Sequence, residues 1–250
     1  MTRERAAPAD GAIELPADLE LNDEFRAAFE LMEGTRKSLF ITGKAGTGKS
    51  TLLQYFRLNT RKNIVVLAPT GVAAIKVRGQ TIHSFFNFPP RLIRDEHCRR
   101  LRKEKLVQRL DALVIDEASM LRADLLDGID RALRINRDSF DEPFGGVQII
   151  LFGDLFQLPP VVDRDMGAVM GELYASPYFF SARVIREMRL GRLELTKIYR
   201  QKDDAFIALL NKVRTKECAA ADLAALNLRF EPAARPVPDG VITLTATNQQ

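Results

Sequence analysis

Apolar residues in this chain come in two rhythms. Ser38-Leu39-Phe40-Ile41-Thr42, Ile64-Val65-Val66-Leu67-Ala68, Ala112-Leu113-Val114-Ile115-Asp116 and Val147-Gln148-Ile149-Ile150-Leu151-Phe152 are short, nearly continuous apolar runs. Runs of this length predict strands buried on both faces. Between them the spacing changes to three and four. Phe25, Phe29 and Met32 share one face of a helix, with Asn22 as its N-cap and Gly34 as its stop. Residues 51–56 begin a helix that runs to about Leu58, and Val72-Ala73-Ala74-Ile75 begins another after the break Pro69-Thr70-Gly71. Leu125, Leu126, Ile129, Ala132 and Leu133 form a further apolar helical stripe. Strands alternating with helices predict an α/β fold with a mostly parallel sheet flanked by helices on both faces.

The alternation resumes after about Leu193, with Leu193-Glu194-Leu195, helices over 203–214 and 219–228, and a strand over 241–245. Residues 1–18, rich in Ala, Pro, Asp and Gly without periodicity, are expected to be a flexible tail. Residues 19–192 are then a first lobe, with a small basic insert over about 87–109. Residues 193–250 are the start of a second lobe, too short to bury a core of its own, so the sequence is expected to be a truncated fragment of a longer protein.

Composition narrows this picture only a little. A hydrophobic fraction of 46% is ordinary for a globular protein. No apolar run approaches bilayer length, and the first residues lack the apolar centre of a secretion signal, so no membrane partner is expected. Cys98 and Cys218 are isolated, which favours two free thiols in a reducing compartment over a disulfide or zinc site. The net charge of +4 is mild, but its distribution is not: residues 91–109 hold eight Lys and Arg against three acids, a local +5. Such a run is either a solvated helix face or a contact for a phosphate backbone.

The chemistry sits where the predicted strands end. Gly43-Lys44-Ala45-Gly46-Thr47-Gly48-Lys49-Ser50 fulfils the phosphate-loop pattern between a strand and a helix. Backbone N–H groups there, at the positive end of the helix dipole, suit a polyphosphate. Lys49 would reach the β- and γ-phosphates of ATP, and the Ser50 hydroxyl would bind Mg²⁺. Asp116-Glu117 ends another strand: Asp116 would hold Mg²⁺ through water, and Glu117 would orient and deprotonate the attacking water. Gln157, within Gly153-Asp154-Leu155-Phe156-Gln157-Leu158-Pro159-Pro160, would sense the γ-phosphate, with Asp154 supporting it. Open α/β sheets bind ligands at the carboxyl ends of their strands, and all these clusters lie there.

Six segments in order carry a family resemblance: residues 43–51, Leu67-Ala68-Pro69-Thr70-Gly71-Val72-Ala73-Ala74, Thr81-Ile82-His83-Ser84-Phe85, Ile115-Asp116-Glu117-Ala118-Ser119-Met120, residues 153–160, and Leu195-Thr196-Lys197-Ile198-Tyr199-Arg200-Gln201. Together they resemble superfamily 1 DNA helicases of the 5′→3′ branch, and most closely the Pif family. Pro143-Phe144-Gly145-Gly146-Val147-Gln148 is similar to that family's signature element. The resemblance implies two RecA-like lobes, the first a P-loop NTPase, that hydrolyse ATP while stepping along single-stranded DNA. It implies forked or structured DNA as a partner, a monomer, and a nucleoid-associated cytoplasmic or a nuclear location.

The resemblance also assigns residues. Gly43, Ala45, Gly46, Thr47, Gly48, Lys49, Ser50 and Thr51 would bind the nucleotide, with Ser50 and Asp116 as metal ligands. Lys49, Asp116, Glu117 and Gln157 would carry catalysis, and Arg200 would reach the nucleotide from the second lobe to stabilise γ-phosphoryl charge. Thr70, Gly71, His83 and Phe88 would meet DNA. Phe85 and Phe86 are either stacking surfaces or core, and His83 is either a DNA contact or a structural histidine. The family often has a glutamine near the start that reads adenine, whereas the first glutamine here is Gln54. Two other classes compete: a DNA clamp switched by nucleotide, which would tolerate Glu117→Gln, and a P-loop kinase, which gives no role to residues 153–160 or 81–85.

Overall fold

The computed structural model describes residue 15, residues 21–197, residue 199, residues 204–228 and residue 230. Two compact units divide the chain, the first running to Lys202 and the second starting at Asp203. In the first, strands β1 (Leu39–Gly43), β2 (Ile64–Ala68), β3 (Gln80–Thr81), β4 (Ala112–Ile115), β5 (Gln148–Phe152) and β6 (Gly191–Leu195) form one sheet in the order β3-β2-β4-β5-β1-β6. Every neighbouring pair is parallel. The helices of this unit are α1 (Asp23–Gly34), α2 (Lys49–Asn59), α3 (Gly71–Lys76), α4 (Ile82–Phe86), α5 (Glu104–Gln108), α6 (Ala123–Arg137) and α7 (Arg164–Leu173).

The continuous apolar runs are explained by the two cores they feed. Side chains alternate across a strand. Leu39 and Ile41 of β1, Val114 of β4 and Ile150 and Phe152 of β5 join Phe25, Met32, Leu52, Leu53 and Phe56 from α1 and α2 on one face. Phe40, Leu113, Ile115, Ile149 and Leu151 join Leu126, Ile129 and Leu133 of α6 on the other. Each large side chain so buried contributes about 1.5–3 kcal/mol. Asn22 caps α1 as expected, its Oδ1 accepting from Phe25 N at 2.8 Å.

Two expectations change. Leu193-Glu194-Leu195 does not open a second lobe: it belongs to β6, which pairs with β1 along its whole length and buries Leu195 to 1% exposure. Arg192 and Glu194 face out, which is why this edge strand reads as separate from the apolar runs. The basic insert, in turn, is a strap laid on α6. It buries Ile93, Cys98, Leu101 and Val107, and only α5 within it is α-helical. Ile93 N donates to Asp124 Oδ2 at 2.8 Å, Leu101 N to Asn136 Oδ1 at 2.7 Å, and the Asn136 amide returns a bond to Arg99 O at 3.0 Å. The signature element is also docked on α6: Phe144, Gly145 and Gly146 all take positive φ, Phe144 N donates to Asp130 Oδ1, and Arg137 Nε donates to Gly145 O at 2.7 Å.

The second unit contains α8 (Asp204–Thr215) and α9 (Ala220–Asn227), joined by a Lys212–Asp222 ion pair of 2.7 Å. They match the helices expected over 203–214 and 219–228. The strand expected over 241–245 and, residue 15 apart, the tail expected over 1–18 lie outside the described residues. Cys98 and Cys218 are both free thiols.

Candidate nucleotide and nucleic-acid site

Strand order decides what meets at the carboxyl edge. The phosphate loop leaves β1, Asp116 leaves β4, and β5 lies between them. Gly153, leaving β5, donates to Ile41 O at 3.2 Å, and a Cβ there would stand 3.0 Å from Ala118 N. Only a residue without a side chain lets these three turns close on one another.

The loop between β1 and α2 is shaped by its glycines. Gly43 and Gly48 take φ of 152° and 86°, a region that suits glycine. A Cβ on Gly43 would lie 2.6 Å from Leu195 O, and one on Gly48 would lie 2.7 Å from the Phe25 ring. The loop is thus moulded from outside its own motif, by β6 and α1. Thr47 is buried, with its hydroxyl spent on Lys44 O at 2.9 Å. Lys49 Nζ donates to Gly43 O at 2.6 Å and to Lys44 O at 3.0 Å, which brings the ammonium to the loop carbonyls. Tyr199 N donates to Gly46 O at 2.9 Å, and the Tyr199 ring meets Phe25 edge-on with centroids 6.2 Å apart.

Asp116 is nearly buried, and its Oδ2 has no hydrogen-bond partner. Burial pushes its carboxyl above the ordinary range, and the nearby Glu117 charge pushes the same way. The Glu117 backbone N–H and the Lys76 and Lys49 ammoniums pull against this. Ser119 Oγ, three residues on from Asp116, is buried and also unpartnered. Glu117 adopts φ 51° and ψ 44°, a left-handed backbone that costs a non-glycine residue about 1–3 kcal/mol. Such an orphaned carboxylate oxygen within electrostatic reach of Lys49 fits the donor set of Mg²⁺, which takes oxygen ligands. Asp154 is buried, accepting from Phe156 N at 3.2 Å and from Gln157 Nε2 at 3.4 Å, so Gln157 is held from below while remaining exposed.

Thr70 and Gly71 open α3 at the end of β2. The Thr70 hydroxyl caps the helix by accepting from Ala73 N at 3.3 Å, and Gly71 is open to solvent. His83 is half-buried, with Nε2 unpartnered and its pKa lowered, first by burial and then by the Arg122 charge. Phe88 corrects an expectation. It is 5% exposed and stacked on Phe86 with centroids 5.3 Å apart, and Phe85 and Phe86 are buried as well. All three rings fill the core beside α6 and present no stacking face. Arg200 lies outside the described residues.

One neighbour of the site was not read from the sequence. Lys76, the last residue of α3, approaches Glu117 Oε1 to 3.7 Å. It also lines a hollow of about 40 Å³ with Ser50, Gln54 and Arg57. Nothing local marks it, because the contact depends on β2 and β4 being neighbours in the sheet.

Comparison with known proteins accords with this geometry. The family described as PIF1-like helicase matches residues 20–223. The rat ATP-dependent DNA helicase PIF1 is 34% identical over 244 residues, covering 95% of this chain and 36% of that protein. The solved Pif1 helicase from Bacteroides in complex with ADP-AlF3 and single-stranded DNA superposes with a TM-score of 0.80 at 40% identity, covering 88% of this chain and 52% of the other. A second structure, of two coordinating Pif1 helicases unwinding forked double-stranded DNA, gives a TM-score of 0.78 at 40% identity over 84% of this chain and 51% of the other. The chain therefore spans about a third of the curated relative and about half of the solved chains. Its sheet and flanking helices are a RecA-like P-loop fold. With the family match extending from the first helix to the second unit, this chain belongs to the PIF1-like helicase family.

Proposed function

We propose that this chain is the ATP-hydrolysing first lobe, with part of the second, of a DNA helicase that moves 5′→3′ along single-stranded DNA and opens forked or structured duplexes. The observation that carries the ATPase reading is the unpartnered Asp116 carboxylate oxygen within electrostatic reach of Lys49, followed directly by Glu117 on a strained backbone. The polarity rests on the resemblance of the six sequence segments to the 5′→3′ branch, and the DNA partner on the relatives.

In this reading the loop amides from Gly43 to Thr51 bind the triphosphate of ATP, and Lys49 leaves the Gly43 and Lys44 carbonyls for the β- and γ-phosphates. Ser50 and Asp116 would hold Mg²⁺, which would supply positive charge against the transferring phosphoryl group. Water attacks the γ-phosphorus, the bond to the β–γ bridging oxygen breaks, and Glu117 accepts the water proton. Gln157, braced by Asp154, contacts the attacking water or the γ-phosphate. Arg200 stabilises γ-phosphoryl charge from the second lobe. DNA phosphates meet the Thr70 hydroxyl and the Gly71 amide at the start of α3, with His83 beside them.

The test is steady-state ATP hydrolysis by the protein with its native flanking sequence, with and without oligothymidylate, alongside Lys49→Ala. The expected result is strong stimulation by DNA, and loss of turnover by about a hundredfold or more in the variant with its melting temperature unchanged. Turnover indifferent to DNA would remove the motor reading and favour a nucleotide-gated clamp.

A further inference from the structure

We propose that Lys76 is a positioning residue for Glu117, and that α3 transmits events at its Thr70–Gly71 end to that carboxylate. The inference deepens the ATPase reading above and depends on it.

Three observations carry it. The first is placement. Lys76 Nζ lies 3.7 Å from Glu117 Oε1, with side chains 53% and 29% exposed, and Lys76 shares its hollow with Ser50. One lysine thus approaches the residue proposed to accept the water proton and lines the same hollow as the proposed metal ligand. While the pair is made, the Glu117 carboxylate is drawn toward α3.

The second is continuity. Thr70 O accepts from Ala74 N at 3.0 Å and Ala73 O accepts from Val77 N at 3.1 Å, so the capping threonine and Lys76 belong to one hydrogen-bonded piece. Six helical residues span about 9 Å. The proposed phosphate contact and the Glu117 contact are therefore the two ends of one short rod.

The third is footing. Among the described residues, Ala73 and Ala74 of α3 join only Ala68 in a small cluster apart from both main cores. Val72 and Ile75 point outward, 82% and 79% exposed. Three methyl groups bury little apolar surface, so the rod can shift at small cost in packing. Its far end is held by Val77, buried in the core with α1 and α2, and by polar bonds: Arg57 of α2 donates to Val77 O at 2.7 Å and to Arg78 O at 3.1 Å. A displacement of the Thr70 end turns α3 about this anchor. Lys76 sits next to the anchor, so the turn reorients its side chain relative to Glu117.

A partly exposed ion pair of this length biases an equilibrium only modestly, so the expected signal is about two- to fivefold. The experiment measures kcat and KM for ATP, and the half-saturating oligothymidylate concentration, in the protein with its native flanking sequence and its Lys76→Met and Lys76→Arg variants. Lys76→Met keeps the aliphatic stem and removes the charge. It should raise kcat without DNA while leaving kcat at saturating DNA, KM for ATP and half-saturating DNA unchanged, so that the stimulation ratio falls. Lys76→Arg should restore the ratio. An unchanged ratio in Lys76→Met overturns the proposal. So does a raised KM or a raised half-saturating concentration, either of which would make Lys76 a direct ligand contact. If wild-type turnover ignores DNA, the ATPase-motor reading falls and this inference with it; if wild type is stimulated and only the Lys76 variants disappoint, the motor reading stands.

Discussion

The carboxyl edge of the sheet and the side of α6 under the strap both bury polar groups, yet they differ in leaving some of them unpaired. Along α6 such groups are paired. Arg122 and Asp124 form a buried ion pair of 2.8 Å, and Asp124 also accepts from Ile93 N. Asn136 uses its amide on Leu101, Arg99 and Ala132, and Arg137 Nη1 donates to the carbonyls of Val107, Gln108 and Leu110. At the sheet edge, Asp116 Oδ2 and Ser119 Oγ are buried without partners, and Glu117 sits on a left-handed backbone. Paired groups stabilise a fold; unpaired ones cost it about 1–3 kcal/mol each. The first region serves the fold, and the second is the one proposed above to receive a ligand.

That contrast breaks most easily at Asp124. Asp124→Ala leaves Arg122 buried without its charge and frees the strap at Ile93, so urea unfolding followed by circular dichroism should show a loss of about 3–5 kcal/mol. A loss below 1 kcal/mol would mean that the strap does not depend on this pair. Gly48→Ala should come next. It places a Cβ 2.7 Å from the Phe25 ring at a φ of 86° and should lower stability by about 1–3 kcal/mol, whereas Gly71→Ala, with nothing within 4 Å, should move it by less than about 0.5 kcal/mol.

The opposite sign is expected at Asp116. Its folded pKa is raised above the unfolded value, so the folded state holds its proton longer. This acid therefore lowers stability increasingly as pH climbs from the unfolded pKa to the folded one, and the penalty stays above that window. Asp116→Asn should remove it and raise the unfolding free energy at pH 7 by on the order of 1 kcal/mol, with the gain vanishing near pH 3, while ATP turnover is lost. A variant less stable than wild type at pH 7 would show that the site residue is also a structural one.

Much of this was legible beforehand, for physical reasons. Strands buried on both faces leave no room for polar alternation, so β1, β2, β4 and β5 stand out as apolar runs. The phosphate loop needs glycines at fixed places because Leu195, Thr47 and Phe25 crowd it. What escaped depends on distant neighbours. The edge strand β6 has one exposed face and blurs into the following segment. Phe88 looks like a stacking ring in a basic setting, and only the strap folding onto α6 shows that it is core. Lys76 meets Glu117 only because β2 and β4 lie side by side.

The moorings after β6 have a mechanical consequence. Thr196 gives two hydrogen bonds to the Glu24 carboxylate, one of them from its backbone N–H at 2.9 Å, and Tyr199 hangs by its own N–H from Gly46. Polypeptide leaving the sheet is thus tethered to the first helix and to the phosphate loop before it goes any further. Tension arriving along the backbone from beyond residue 200 is borne by those few bonds before it reaches the strand. The rim proposed to hold the phosphates is also the cleat to which the outgoing rope is tied.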